Sequence, residues 1–260
     1  MTTFAHAMAN DFFHFKQFSV YQDRCAMKVG TDGTLLGAWA EGGERILDIG
    51  TGTGLISLMM AQRFPKARIT AIDSDTQACQ QASDNVAASP FASQISVINT
   101  SLQQFSSSNK QRLSRSSAPS CQLPSSSAGC GSAATYQAIV CNPPFFENAL
   151  QSPNVQRTTA RHTVSLSYYE LFQGVDKLLD AEGEFSAIIP FDCRQRFEYE
   201  AAMVGLFPSR VCNVSTIPAK APRRFLLAFR RTPVSRIESL HLVIGDAQYQ
   251  ILLHDFLIHF

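Results

Sequence analysis

The stretch "RILDIGTGTGLISLMMAQRF", residues 45–64, constrains the fold more than any other: a strand-length apolar run meets three alternating glycines and then a helix-length apolar segment. Ile46 to Ile49 reads as a short buried strand and Leu55 to Phe64 as a helix, with the glycines making the turn between them. The pattern then repeats. "ARITAIDSD" is strand-like and "DTQACQQASDNVAAS" helical; "QISVIN", "YQAIVC" and "GEFSAIIP" add strands, with "SYYELFQGVDKLLDA" a helix between the last two. Such alternation implies an α/β fold, a mostly parallel sheet with helices on both faces. "RVCNVSTIPAKAPRRFLLAFRR" reads as a hairpin added antiparallel at the sheet edge, and "LHLVIGDAQYQILLHDFLIHF" as a second hairpin turning at Gly245 and Asp246.

A chain of 260 residues suits one such domain. The expected division is a core of about 12–231 and a C-terminal β-hairpin extension at 238–260. Residues 106–134 stand apart, with eleven serines and no apolar period, and read as a low-complexity insert between two strands. A neutral insert, a lid over the site, or an RNA-touching loop through Lys110, Arg112 and Arg115 are the roles open to it.

The seven cysteines show no C-x-x-C and no paired histidine spacing, so reduced thiols in a cytoplasmic protein are expected, with no metal. The absence of an apolar run of 18 residues or of a signal-like start predicts neither a membrane span nor secretion. The net charge of +1 gives no global argument for a nucleic-acid partner. Its distribution does: no acid falls between Arg210 and Arg236, a window holding Lys220, Arg223, Arg224, Arg230 and Arg231, so a basic face is expected there.

The turn Asp48-Ile-Gly50-Thr-Gly52-Thr-Gly54 lies where backbone N–H groups at a helix start attract negative charge and glycines let a ligand approach. A tight strand-to-helix connection also needs glycine. Asp73, closing the next strand, shifts the balance, because a carboxylate there can accept from both hydroxyls of a ribose. The spacing G-x-G-x-G differs from the G-x-G-x-x-G of dinucleotide enzymes. Asp48 can accept from an ammonium or hold the turn itself. A ligand with an α-amino group and a free ribose diol is S-adenosyl-L-methionine.

These residues resemble the cofactor half of the Rossmann-like class I S-adenosylmethionine-dependent methyltransferases. "NPPF" at Asn142, Pro143, Pro144 and Phe145 is similar to the amino-methylating branch of that family. The resemblance covers roughly residues 12–231 and departs at one point: Ser101 stands near the place where the family often has an acid for the adenine amine, and a hydroxyl could accept the same bond. "KQFSVYQDRCAMKVGTDGTLLGAWA", "NPPFFENAL" and "RTTARHTVSLSYYEL" resemble the bacterial tRNA1(Val) adenine-N6-methyltransferases. That resemblance implies methylation of the adenine just 3′ of the anticodon, position 37; a monomer is expected.

The chemistry expected of such a turn follows from the substrate. An exocyclic amine conjugated to a ring is a poor nucleophile, so the Asn142 side-chain oxygen and the Pro143 carbonyl would accept its hydrogens and favour a localised lone pair. The prolines fix the turn and Phe145 offers a stacking face, while Phe146 serves either the base or the core. No general base is expected, and His162, His254 and His259 read as surface or packing residues. Lys28, Arg157, Arg161, Lys220, Arg223 and Arg224 are candidate substrate contacts. Thr31 and Asp32 either line the pocket or belong to a helix start capped by Asp32. A guanine-N2 ribosomal RNA methyltransferase, a protein-glutamine methyltransferase and a non-catalytic RNA chaperone are the other readings.

Overall fold

The computed structural model describes residues 11–25, 27–108, 135–144 and 166–259. A small hairpin of β1 (Phe12–His14) and β2 (Ser19–Tyr21) leads into α1 (Thr31–Trp39). The alternating core follows as β3 (Arg45–Ile49), α2 (Leu55–Arg63), β4 (Arg68–Asp73), α3 (Thr76–Ala87), β5 (Ile95–Asn99), α4 (102–108) and β6 (Tyr136–Cys141). Then come α5 (Tyr168–Leu178), β7 (Leu179–Pro190), α6 (Arg194–Met203), β8 (Phe207–Ser215), β9 (Arg224–Arg230), β10 (Glu238–Val243) and α7 (Ala247–Leu253).

Among the described residues the main sheet runs β10-β8-β9-β7-β6-β3-β4-β5. Strands β3 to β7 are mutually parallel, and β9 pairs antiparallel with both β7 and β8. Because both faces of the sheet are covered, its central strands are apolar on both sides, apart from a few buried polar groups such as Asp48 and Glu184. Ile46, Ala138, Val140 and Ile188 pack on one side with α1 and α2, and Leu47, Ile49, Ile139 and Phe185 on the other with α5 and α6. Sheet order reverses between β3 and β6, and in open α/β sheets ligands bind where the carboxyl ends of strands part in this way.

Helix α1 carries two glycines, which lower helix propensity. Packing explains them. A Cβ on Gly37 would fall 2.8 Å from Met59 Sδ and one on Gly33 would fall 3.2 Å from Leu55 Cδ2, so small residues allow α1 to press closely on α2. At the start of α5, Ser167 and Glu170 form a reciprocal capping box.

Three expectations are corrected. The C-terminal segment is a strand and a helix, not a hairpin: β10 pairs parallel with β8 and so becomes the sheet edge, while Asp246 caps α7 by accepting from the Tyr249 N–H at 2.7 Å. Residues 238–259 are therefore integral to the fold, with Leu253 and Phe256 buried. The antiparallel hairpin β8–β9 consequently lies inside that edge. Within the expected insert, 106–108 continue α4; positions 109–134, including Lys110, Arg112 and Arg115, lie outside the described residues, as do Phe145, Phe146, Arg157, Arg161 and His162.

The third correction concerns the basic face. Arg210 and Arg230 converge on Glu184, which is 3% exposed, at 2.6 and 2.9 Å, and Arg210 also lies 4.2 Å over the Trp39 ring. Arg231 pairs with Asp176 at 2.8 Å. Since β9 runs antiparallel to β7, with Arg224 opposite Pro190 and Phe229 opposite Phe185, the strand separates its charges. Arg223 and Arg224 stand at the carboxyl end of the sheet, and Arg230 and Arg231 at the far end in ion pairs.

Candidate active site

The glycine turn joins β3 to α2, and its conformation requires the residue type: Gly50, Gly52 and Gly54 have φ of 70°, 57° and 83°. The turn is anchored to β4, because Gly50 and Thr51 donate their N–H groups to the Ile72 carbonyl at 2.9 and 3.0 Å. Gly52 donates to Asp73 Oδ2 at 2.9 Å, and Asp73 Oδ1 accepts from the Asp75 N–H at 2.9 Å. Asp73 thus already sets the loop, with a lone pair left on each oxygen.

Asp48 lies beneath the loop, fully buried. Its Oδ2 accepts from Thr51 Oγ1 and Ser57 Oγ, both at 2.7 Å, tying the turn to the first turn of α2. Its other oxygen is buried with no hydrogen-bond partner among the described residues. Desolvation pushes its pKa from 3.8 up to about 6 against the lowering effect of those hydroxyls.

A pKa raised by folding means that protonated Asp48 adds stability below about pH 4 and that this contribution is lost as pH rises through about 6. The displacement corresponds to about 3 kcal/mol. Asp48→Asn, which keeps an acceptor and removes the charge, is therefore expected to melt several degrees higher than wild type at pH 8 and to lose that advantage at pH 4.5. Scanning calorimetry at the two pH values checks this; a difference independent of pH contradicts it.

In front of the loop lies a cavity of about 360 Å³, within the range of small-molecule sites. Its wall includes Lys28, Thr31, Asp32, Gly50, Gly52 and Asn142. The register of β3 with β6 pairs Ile49 with Cys141, which puts Gly50 and Asn142 side by side at the switch point. Pro143 is buried and Pro144 exposed. The Asn142 side chain is held from Met27, whose Sδ lies 3.7 Å from Nδ2, while Oδ1 is buried without a hydrogen-bond partner among the described residues. An acceptor at a cavity wall with no internal donor suits a donor brought by a ligand.

Asp48, Asp73 and Ser101 do not line this cavity. Ser101 caps α4, accepting from the Gln104 N–H at 3.2 Å. Asp32 does not cap α1: Gly30 is the N-cap, and Asp32 Oδ2 instead pairs with Arg224 Nε at 2.9 Å, tying the start of β9 to the cavity wall. Lys220 and Arg223 are exposed on the β8–β9 connection. Sequence reasoning missed Met27, Thr51, Thr53, Leu55 and Ile56 on the wall. Thr51 and Thr53 were hidden between the glycines, and Met27 lay one residue before a candidate already chosen.

The chain is similar to known methyltransferases. A family described as "Methyltransferase domain" matches residues 46–115. A tRNA1(Val) (adenine(37)-N6)-methyltransferase of Parabacteroides distasonis is 44% identical over 91% of both chains. One of the same name from Trichodesmium erythraeum is 42% identical over 93% of both. The fold is similar to that of a protein from Agrobacterium tumefaciens described as a predicted O-methyltransferase, with a TM-score of 0.55, 16% identity, and coverage of 84% of this chain and 90% of that one.

Proposed function

The chain belongs to the tRNA1(Val) (adenine(37)-N6)-methyltransferase family, and from that premise we propose that it methylates N6 of adenine-37 in tRNA1(Val) with S-adenosylmethionine, as a cytoplasmic monomer. The observation that carries the reading is the buried Oδ1 of Asn142, without a hydrogen-bond partner among the described residues, on the cavity wall shared with the glycine turn.

The residues present fit the cofactor. The turn offers backbone N–H groups and glycines at positive φ, Asp73 retains acceptors for a ribose diol, and Asp48, buried beneath the turn, holds its shape by accepting from Thr51 and Ser57. When bound, the cofactor supplies a methyl group on a sulfonium. The chain's own work is to present the amine. Asn142 Oδ1 and the Pro143 carbonyl accept the two N6 hydrogens, so the nitrogen lone pair turns out of conjugation toward the methyl. Their strand-end position and the proline ring fix both acceptors before binding. The methylated nitrogen is acidic enough to release its proton to water, so no base is needed. Phe145 supplies a stacking face for the base, Phe146 serves either the base or the core, and Arg157, Arg161, Lys220 and Arg223 meet phosphates of the loop. Lys28 borders the base or the cofactor. Ser101 stands for the missing acid near the adenine of the cofactor.

An adenine in a loop is already partly unstacked, so drawing it into the cavity costs less than flipping it from a duplex. The test uses tRNA1(Val) transcripts with adenine or guanine at position 37, followed by mass spectrometry of the nucleosides. N6-methyladenosine from the adenine transcript alone is expected. Equal methylation of the guanine transcript would instead favour a guanine-N2 enzyme.

A further inference from the structure

The register of β6 with β7, Cys141 opposite Ala187, puts Asn142 level with Ile188. Phe191 then leaves the neighbouring strand three residues further on, roughly 10 Å along the strands and about 5 Å across. The residue is 47% exposed although large and apolar. One face explains its place: it stacks on buried Phe225, centroids 5.5 Å apart at 25°, and the Arg194 guanidinium lies 4.7 Å over the Phe225 ring while held by Glu198 at 2.8 Å. The Phe191 N–H also bonds the Arg223 carbonyl at 3.1 Å, locking the ring's backbone to the β8–β9 connection. Arg196, Lys220 and Arg223 are exposed close by in the chain, with Asp192 and Glu200 the acids there that form no ion pair among the described residues.

An exposed aromatic face that follows the strand beside the one carrying Asn142, and is bonded through its backbone to the connection that bears Lys220 and Arg223, has the chemistry of single-strand RNA recognition, in which bases stack on rings and phosphates meet basic side chains. We infer that Phe191 is a stacking platform for an unpaired nucleotide next to the target adenine, with Arg223 and Lys220 receiving the adjoining phosphates. The inference rests on the RNA-methylating reading above and extends it to a residue outside the N-P-P-F turn. Another exposed aromatic pair, Phe12 and Tyr21 on the N-terminal hairpin, has Asp11 close by in the chain, and there Arg24 is held by Asp23 and Asp84, so it suits an anionic partner less well.

The test uses an RNA hairpin with the anticodon loop of tRNA1(Val), carrying 2-aminopurine in turn on each side of the target, bound in the presence of S-adenosylhomocysteine. Stacking is expected to quench one of the two probes in wild type. Phe191→Leu, which keeps an apolar cover on Phe225 but no ring, and Phe191→Ala are both expected to abolish that quench, while Phe191→Tyr restores it. KM for the RNA should rise roughly 5- to 100-fold in the leucine and alanine variants, with kcat near wild type. Because leucine preserves the cover, its loss of quenching reports on the ring and not on folding.

Unchanged quenching and KM in the leucine variant, with the adenine still methylated, would overturn the platform and leave the methylation reading standing. Methylation of guanine instead of adenine, with the quench still lost in Phe191→Leu, would overturn the adenine assignment and support the platform. A wild-type protein that quenches neither probe would also overturn the platform.

Discussion

Asn142→Ala is expected to lower kcat by about 100-fold or more while the affinity for S-adenosylmethionine stays within about twofold. The amide oxygen is buried with no partner among the described residues, so none of them depends on it as an acceptor. Its demand arises when the amine rehybridises, and an acceptor that matters most at that point is worth about 3 to 4 kcal/mol in the barrier. The Pro143 carbonyl remains, which is why residual turnover is expected. Losing the 3.7 Å contact from Nδ2 to Met27 Sδ should change stability little, because a thioether is a weak acceptor. Single-turnover rates at saturating tRNA, beside calorimetric cofactor binding, separate the two effects. Full activity in the alanine variant would make the N-P-P-F turn a structural feature only.

The parts of this protein that were legible in its sequence are the locally encoded ones. Three glycines at positive φ, the acid ending β4 and the amide ending β6 each announce themselves within a few residues, and parallel alternation then brings them to one switch point. What the sequence hid depends on distant partners. Gly33 and Gly37 are costly in an isolated helix, and only the approach of Leu55 and Met59 explains their place in α1. "AQYQILLHDF" has a run as apolar as a strand, yet the Asp246 cap starts a helix there. The arginine-rich tail suggested one basic face because counting charges along the chain cannot show Glu184, which folds in from β7 to take both Arg210 and Arg230. Phe191 was likewise invisible, since its exposure follows from stacking on Phe225 across two strands.

The ribose assignment of Asp73 makes the second large prediction. Asp73→Ala should weaken S-adenosylmethionine binding by on the order of 2 to 4 kcal/mol, roughly 30- to 1000-fold, from the loss of two charge-assisted hydrogen bonds. The structure adds a second route to the same loss. Asp73 Oδ2 holds the Gly52 N–H and Oδ1 holds the Asp75 N–H, so alanine also frees the middle of the glycine turn from β4. The two routes are separable with a cofactor analogue lacking the ribose 2′-hydroxyl. If Asp73 binds the diol, wild type should discriminate against the analogue by about tenfold or more, and Asp73→Ala should hardly discriminate at all. If Asp73 only shapes the loop, both proteins should discriminate equally while the variant binds each ligand more weakly. Asp73→Asn, keeping one acceptor oxygen without the charge, should fall between wild type and alanine. Isothermal calorimetry of the three proteins with both ligands checks the set, and affinity unchanged in Asp73→Ala would remove the carboxylate from the cofactor site altogether.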